Sequence, residues 1–488
     1  MAYTGFITTL KNVHKHSNAD RLQIGECFGN SVIVSLDYIE GQLGVYFPVD
    51  GQLSEEFCKV NDLVRRKDEN GNTCGGYLDP EKRNIKALKL RGEKSDGLFL
   101  PLTCLADFCK ISDLREGDAI SVLNGKEICK KYIPKRNHAS STYHGGGKRA
   151  KANFAPTFYE HIDTAQLAYN LGEFKTGDIV ELTLKMHGTS GRTGYLPLHR
   201  RKKQTLWDKI RRRPGKEYVE YGYVTGTRHV VLDDRHDGGF YSDNQFRQEM
   251  AKKFEGKLHK GEVVYYEIVG FVNEDTPIMA SVKNSKIKDK EFTKQYGEET
   301  VFSYGCDPLG GWGTVSAAPD VPGVCYSSSM DMYPPKCEVY VYRMTQVNED
   351  GDVVEMSPDQ MRLRCEQMGV KYVPVFERFI IPEYTEKHSV AFAAYGGEDW
   401  VYTERIPVNP GEYVLRKVEE YFDGPDPIGK THIREGVVAR IVNRPNIAVY
   451  KHKNFNFKVL EGIIKDEAIE PDMEEAQEEE TIQDECEV

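Results

Sequence analysis

Glu262 to Phe271 reads Glu-Val-Val-Tyr-Tyr-Glu-Ile-Val-Gly-Phe, a β-branched and aromatic run with a carboxylate at its centre. Such a run forms a mostly apolar strand and commits the chain to a sheet. Glu267 in its middle costs free energy unless it is ion-paired, hydrogen-bonded or near a metal. Taken alone, a buried ion pair and a functional carboxylate explain that position equally well. Strand and helix patterns mix around it from Pro156 onward for about three hundred residues, as in one large α+β domain with insertions.

The rest of the 488-residue chain divides by composition. Residues 1–134 read as a β-rich domain, with strands at Val32–Leu36, Gly44–Val49 and Gly97–Leu102 between Gly, Asn and Asp turns. Residues 135–155, including Lys135-Arg136-Asn137-His138 and Gly145-Gly146-Gly147-Lys148-Arg149, have the make-up of a flexible basic linker. A domain over 156–462 follows, with a basic insertion near 200–216 and a Gly-, Pro- and Ser-rich one near 306–336. Residues 463–488 read as a disordered acidic tail.

Net charge is −11, but Asp466 to Val488 hold 12 acidic residues and no Lys or Arg. Without that segment the body carries 65 basic and 64 acidic groups, so the acidic total does not exclude a nucleic-acid partner. The 11 cysteines are scattered without zinc spacing and read as reduced thiols. No apolar run has the length of a membrane span, and Met1-Ala2-Tyr3-Thr4 has no signal-peptide character. A cytoplasmic, monomeric protein with no membrane partner is the expectation.

Ile179 to Leu184 alternates, with Val180, Leu182 and Leu184 on one face and Glu181, Thr183 and then Lys185 on the other. Lys185 therefore ends a strand pointing away from the packed face. Gly188 follows in a tight turn that lets a phosphate approach closely. Glu435 heads the Val-rich strand Glu435-Gly436-Val437-Val438-Ala439-Arg440. Lys451 and Lys453, two apart, share one face of a strand and repel unless an anion lies between them.

The ordered set Lys185-Met186-His187-Gly188, Glu267, Glu435-Gly436-Val437-Val438 and Lys451-His452-Lys453 resembles the collinear motifs of the covalent nucleotidyltransferases. That superfamily holds ATP-dependent DNA and RNA ligases and capping guanylyltransferases. Lys185-Met186-His187-Gly188-Thr189-Ser190 and Lys451 to Phe457 resemble the nick-sealing RNA ligases best. His16-Ser17-Asn18-Ala19-Asp20-Arg21-Leu22 resembles the signature of OB-fold RNA-binding modules, with Ser17 where Pro is usual. An OB-like domain ahead of the catalytic one is similar to the Deinococcus- and Naegleria-type RNA ligases.

The resemblance implies an α+β chain: an N-terminal OB-like β-barrel and a larger mixed α/β nucleotidyltransferase domain of ligase type, with ATP-grasp-like antiparallel sheets. It implies that Lys185 attacks the α-phosphate of ATP, that AMP passes to an RNA 5′-phosphate, and that a 3′-OH displaces AMP. Cationic neighbours Lys451 and Lys453 would favour the neutral amine and neutralise phosphate. Glu435, with Glu267, would hold Mg2+ or Mn2+; Glu267 has the ribose hydroxyls as its other candidate partner. His187 and Gly188 line the nucleotide, Tyr340 or Tyr342 and Val437 sandwich adenine, and Arg192 and Arg228 bind phosphate or ribose. The alternatives are a capping guanylyltransferase, a DNA ligase or a non-catalytic RNA-binding protein.

Overall fold

The computed structural model describes residues 3–67, 71–133, 155–162, 164–202, 215–228, 231–232, 245–272, 276–306, 336–391 and 400–466. The expected linker, most of both insertions and all but the first residues of the expected tail lie outside these. The chain divides into two units, one from Met1–Asn137, Val282–Glu299 and Lys453–Pro471, the other from His138–Ser281, Thr300–His452 and Asp472–Val488. Two stretches of the single domain expected over 156–462 thus belong to the amino-terminal unit. Among the described residues no helix is long and apolar enough to cross a membrane.

In the first unit, strands Leu98–Pro101, Leu43–Phe47, Gly5–Thr9 and Ala119–Ile120 form an antiparallel sheet in that order. Lys11–Lys15, Leu22–Cys27 and Asn30–Ser35 form another. The described strands close no barrel; they make separate small sheets over a core that includes Ile7, Phe47, Phe57 and Phe108. His16 of the OB-like signature is buried, accepts the Asn18 N–H on Nδ1 at 3.0 Å and meets the Leu90 carbonyl through Nε2 at 3.1 Å. Helix Phe455–Asp466 packs in this unit through Lys458 to Asp96 at 2.6 Å and Lys465 to Asp50 at 3.0 Å. Burial works to raise the Asp50 carboxyl, but Lys465 and Lys453 outweigh it and hold it down at about 2. Because this helix reaches Asp466, the first residues of the expected tail are helical.

The second unit holds two sheets. In the five-stranded one, the order is Ala165–Gln166, Ala448–Lys453, Gly436–Ile441, Ile179–Lys185 and Val375–Ile380. The other has seven strands and is built on Thr189–Arg201, Glu217–Gly226, Glu262–Gly270 and Cys337–Val347. The chain passes from one sheet to the other through the turn Met186–Gly188. Val180, Leu182 and the opposing Ala439 and Ile441 pack under the first sheet with Val414 and Val418. The apolar alternation read from sequence is what buries that face.

Glu181 departs from the expected exposed face, being 3% exposed. Helix Pro358–Met368 covers it, begun by the Ser357–Gln360 capping box and ended by Gly369 at φ +66°. Arg362 of that helix reaches Glu181 at 2.9 Å and Arg378 reaches it at 2.7 Å. Removing the carboxylate takes the buried anion from both guanidinium groups and leaves them only the exposed Asp359, which bridges the two. We expect Glu181→Ala to cost about 3 kcal/mol in equilibrium denaturation. A loss below about 1 kcal/mol would show the cluster to be dispensable.

Candidate functional site

Lys185 and Glu435 are brought together by strand register. Ile179–Lys185 runs antiparallel to Gly436–Ile441, with Lys185 opposite Gly436. That pairing sets the residue before the second strand, Glu435, beside the lysine. Lys185 Nζ lies 2.9 Å from Glu435 Oε1, the carboxylate being 1% exposed and the lysine side chain 24% exposed. A buried carboxylate without a cation would carry a large desolvation penalty, and here the ammonium offsets it. His187 Nδ1 approaches the other oxygen of Glu435 at 3.6 Å.

The same register corrects one assignment. Val437 stands opposite Leu184 and is fully buried in the core with Leu182 and Ala439. It lies on the face opposite Lys185 and cannot also cover a nucleotide bound there. Val438, opposite Thr183, is the valine on the lysine's face. Alternation puts Lys451 on that face too, since Tyr450 and Ala448 take the core side. Lys453 belongs to the other unit, where its Nζ binds Glu461 at 2.7 and 2.9 Å.

Beyond the turn, Gly188 starts the crossing into the seven-stranded sheet. A Cβ there would sit 2.3 Å from the Ile268 carbonyl oxygen, so the approach of the strands requires glycine. Ser190 pairs with Glu267, and Glu267 with Tyr340, placing the three across one face of that sheet. Glu267 is half-buried and Tyr340 is buried, with Lys371 Nζ 5.7 Å from the centre of its ring. Tyr342 sits at an irregularity between the strands, edge-on to His161 with ring centroids 5.0 Å apart.

Arg192 lies on the face of Glu267, but its guanidinium is directed into the protein. It donates to the Thr227 carbonyl at 2.9 Å and the Phe158 carbonyl at 3.0 Å, and stacks over the Phe158 ring at 4.3 Å. Buried in this way, it braces Phe158 and the segment before Arg228, in place of the phosphate or ribose expected from the sequence. Arg228 is half-buried just past the Glu217–Gly226 strand.

Four residues behind the turn were not singled out from sequence: Phe302, Tyr304, Asp426 and His432. Phe302 lies edge-on to both His187 and His432, with centroids 4.8 and 5.1 Å apart. The Tyr304 hydroxyl accepts the His187 backbone N–H at 2.7 Å, and its ring meets His432 at 4.5 Å. Burial, then Glu435 and Asp426, push the Tyr304 phenol well above its ordinary range, so it stays protonated. Asp426 and His432 are 0% exposed, with Nε2 and Oδ2 3.8 Å apart. The only sequence signal was the Asx-type turn of Asp426, whose Oδ1 accepts the Ile428 and Gly429 N–H groups.

Burial lowers the His432 pKa, with Asp426 opposing, so the folded state resists protonating it. The unfolded chain takes up that proton below the ordinary imidazole value of 6.5. Stability from this group is therefore present above about pH 6.5 and lost as pH falls towards the lower folded value. Melting curves across that range should show a shallower acid-side loss in His432→Gln than in the parent. An unchanged slope would mean that His432 titrates as freely folded as unfolded.

No protein-family model and no curated protein sequence matches the chain. Solved structures do. The chain is similar to a Naegleria gruberi RNA ligase lysine-to-methionine variant with AMP and Mn, at 13% identity and TM-score 0.50, covering 93% of this chain and 97% of that one. It is similar to an apo aspartate-to-alanine variant of that ligase, at 13% identity and TM-score 0.50, covering 94% and 97%. A glutamate-to-alanine variant with ATP and Mn matches at 14% identity and TM-score 0.50, covering 93% and 98%. Across nearly its whole length, the chain has the fold of these RNA ligase structures.

Proposed function

We propose that this protein is an ATP-dependent RNA ligase that joins 3′-OH and 5′-phosphate ends, sealing nicks with RNA on the 3′-OH side. The observation that carries the reading is the Lys185–Glu435 pair at the turn between two sheets, on a face shared with Lys451 and Val438. The shared fold, and the AMP, ATP and Mn held by the neighbouring ligase structures, support the same chemistry here.

In the first step Lys185 Nζ, having lost a proton, forms a bond to the α-phosphorus of ATP, and the bond to the β-phosphate oxygen breaks to release pyrophosphate. Glu435 at 2.9 Å is within reach of that proton. An RNA 5′-phosphate oxygen then takes the AMP from Lys185. Finally the 3′-OH attacks the activated 5′-phosphate and AMP leaves. Lys451 neutralises phosphate charge, His187 and Gly188 shape the nucleotide floor, and Arg228 binds ribose or phosphate. Tyr340 or Tyr342 and Val438 enclose adenine. The hard oxygens of Glu435 and Glu267, one almost fully buried and one half-buried, suit Mg2+ or Mn2+. Bound there, the metal would supply charge stabilisation to the phosphates.

RNA is the partner, held in the OB-like amino-terminal unit and by the basic residues of the stretch 200–216. The protein acts as a monomer. Incubation with [α-32P]ATP and Mg2+ should label the chain, and Lys185→Ala should abolish the label. Labelling by GTP in place of ATP would select a capping reaction, and labelling by neither would leave an RNA-binding protein without ligase activity.

A further inference from the structure

We propose that Tyr304 is a positioning residue for Lys185, fixing the turn that carries the amine so that it meets the nucleotide from one direction. This rests on the reading of Lys185 as nucleophile. The Tyr304 hydroxyl accepts the backbone N–H of His187, two residues beyond the lysine, at 2.7 Å. Both residues are buried, so a lost partner would not be replaced readily by bulk water.

The backbone at Tyr304 bears out a demand on its position. Tyr304 has φ +47°, and Gly305 beside it has φ +79°. Glycine adopts such angles freely, whereas an aromatic residue is an outlier there. Outliers of this kind persist where the surroundings over-determine them. Here the surroundings are ring contacts to His432 at 4.5 Å, the Phe302 ring between His187 and His432, and the Cys306 N–H bonded to the Ser303 carbonyl at 2.8 Å. His432 is itself fixed by Nδ1 at 2.8 Å from the Ile433 carbonyl, three residues before the register that places Glu435. The segment Phe302–Cys306 leads into the long insertion, so the turn leans on the insertion's root.

The test separates the step that uses the amine from the step that does not. Full-length protein and Tyr304→Phe are compared in single-turnover lysyl-AMP formation, and in sealing of a strand whose 5′ end already carries AMP. The variant should form lysyl-AMP at least about 10-fold more slowly, with the half-saturating ATP concentration moved less than about 3-fold. Sealing of the pre-adenylylated strand, which bypasses attack by Lys185, should stay within about 3-fold of the parent. If both steps fall together, the hydroxyl serves the fold and the proposal is wrong. If neither falls while the parent forms lysyl-AMP, the proposal alone fails. A parent that forms no lysyl-AMP overturns both this role and the ligase reading.

Discussion

Glu435 is almost wholly withdrawn from water, and Lys185 at 2.9 Å is the cation that makes its burial tolerable. An uncompensated carboxylate at that depth would destabilise the strand pair that carries it. The pair therefore joins packing to chemistry. It sits at the end of two registered strands, with Lys185 opposite Gly436, and the chain crosses into a second sheet three residues later. Farther down the same strand, Glu181 is clamped by Arg362 and Arg378. The Ile179–Lys185 strand is thus held by ion pairs on one face and by the Val180–Leu182 core on the other.

The crossing has little freedom. Gly188 admits no Cβ against the Ile268 carbonyl, and the His187 amide is held by Tyr304. Beyond it, Ser190, Glu267 and Tyr340 line up across the second sheet. A nucleotide attacked by Lys185 would have one sheet presenting the amine and the other presenting a carboxylate and an aromatic ring. Rigid elements on both sides of a short turn are what in-line phosphoryl chemistry needs, since it depends on placement more than on covalent assistance.

Much of this was legible in the sequence because strands have a period of two. Alternation put Lys185 at a strand end, Glu267 inside an apolar strand and Lys451 and Lys453 on one face of a strand, and each of these elements is a strand. Val437 was misplaced by one residue because its face follows from pairing with Leu184, a register that the sequence does not print. Arg192 shares a sheet face with Glu267, but its destination depends on carbonyls of Phe158 and Thr227, far away in the chain. Tyr304, His432 and Asp426 come from loops without periodicity. The sharing of Val282–Glu299 and Lys453–Pro471 with the amino-terminal unit is likewise a matter of tertiary packing. Local pattern governs which face a residue takes; long-range contact governs what it meets.

The central claim is that the lysine of the buried Lys185–Glu435 pair carries the adenylate. Peptide mass spectrometry of the full-length protein after reaction with ATP and Mg2+ tests it directly, with digestion kept near neutral pH to preserve a phosphoramidate bond. The account predicts AMP on the peptide containing Lys185, with fragment ions placing it on that side chain. AMP on another residue, or an unmodified Lys185 peptide in a protein that seals RNA, would contradict it.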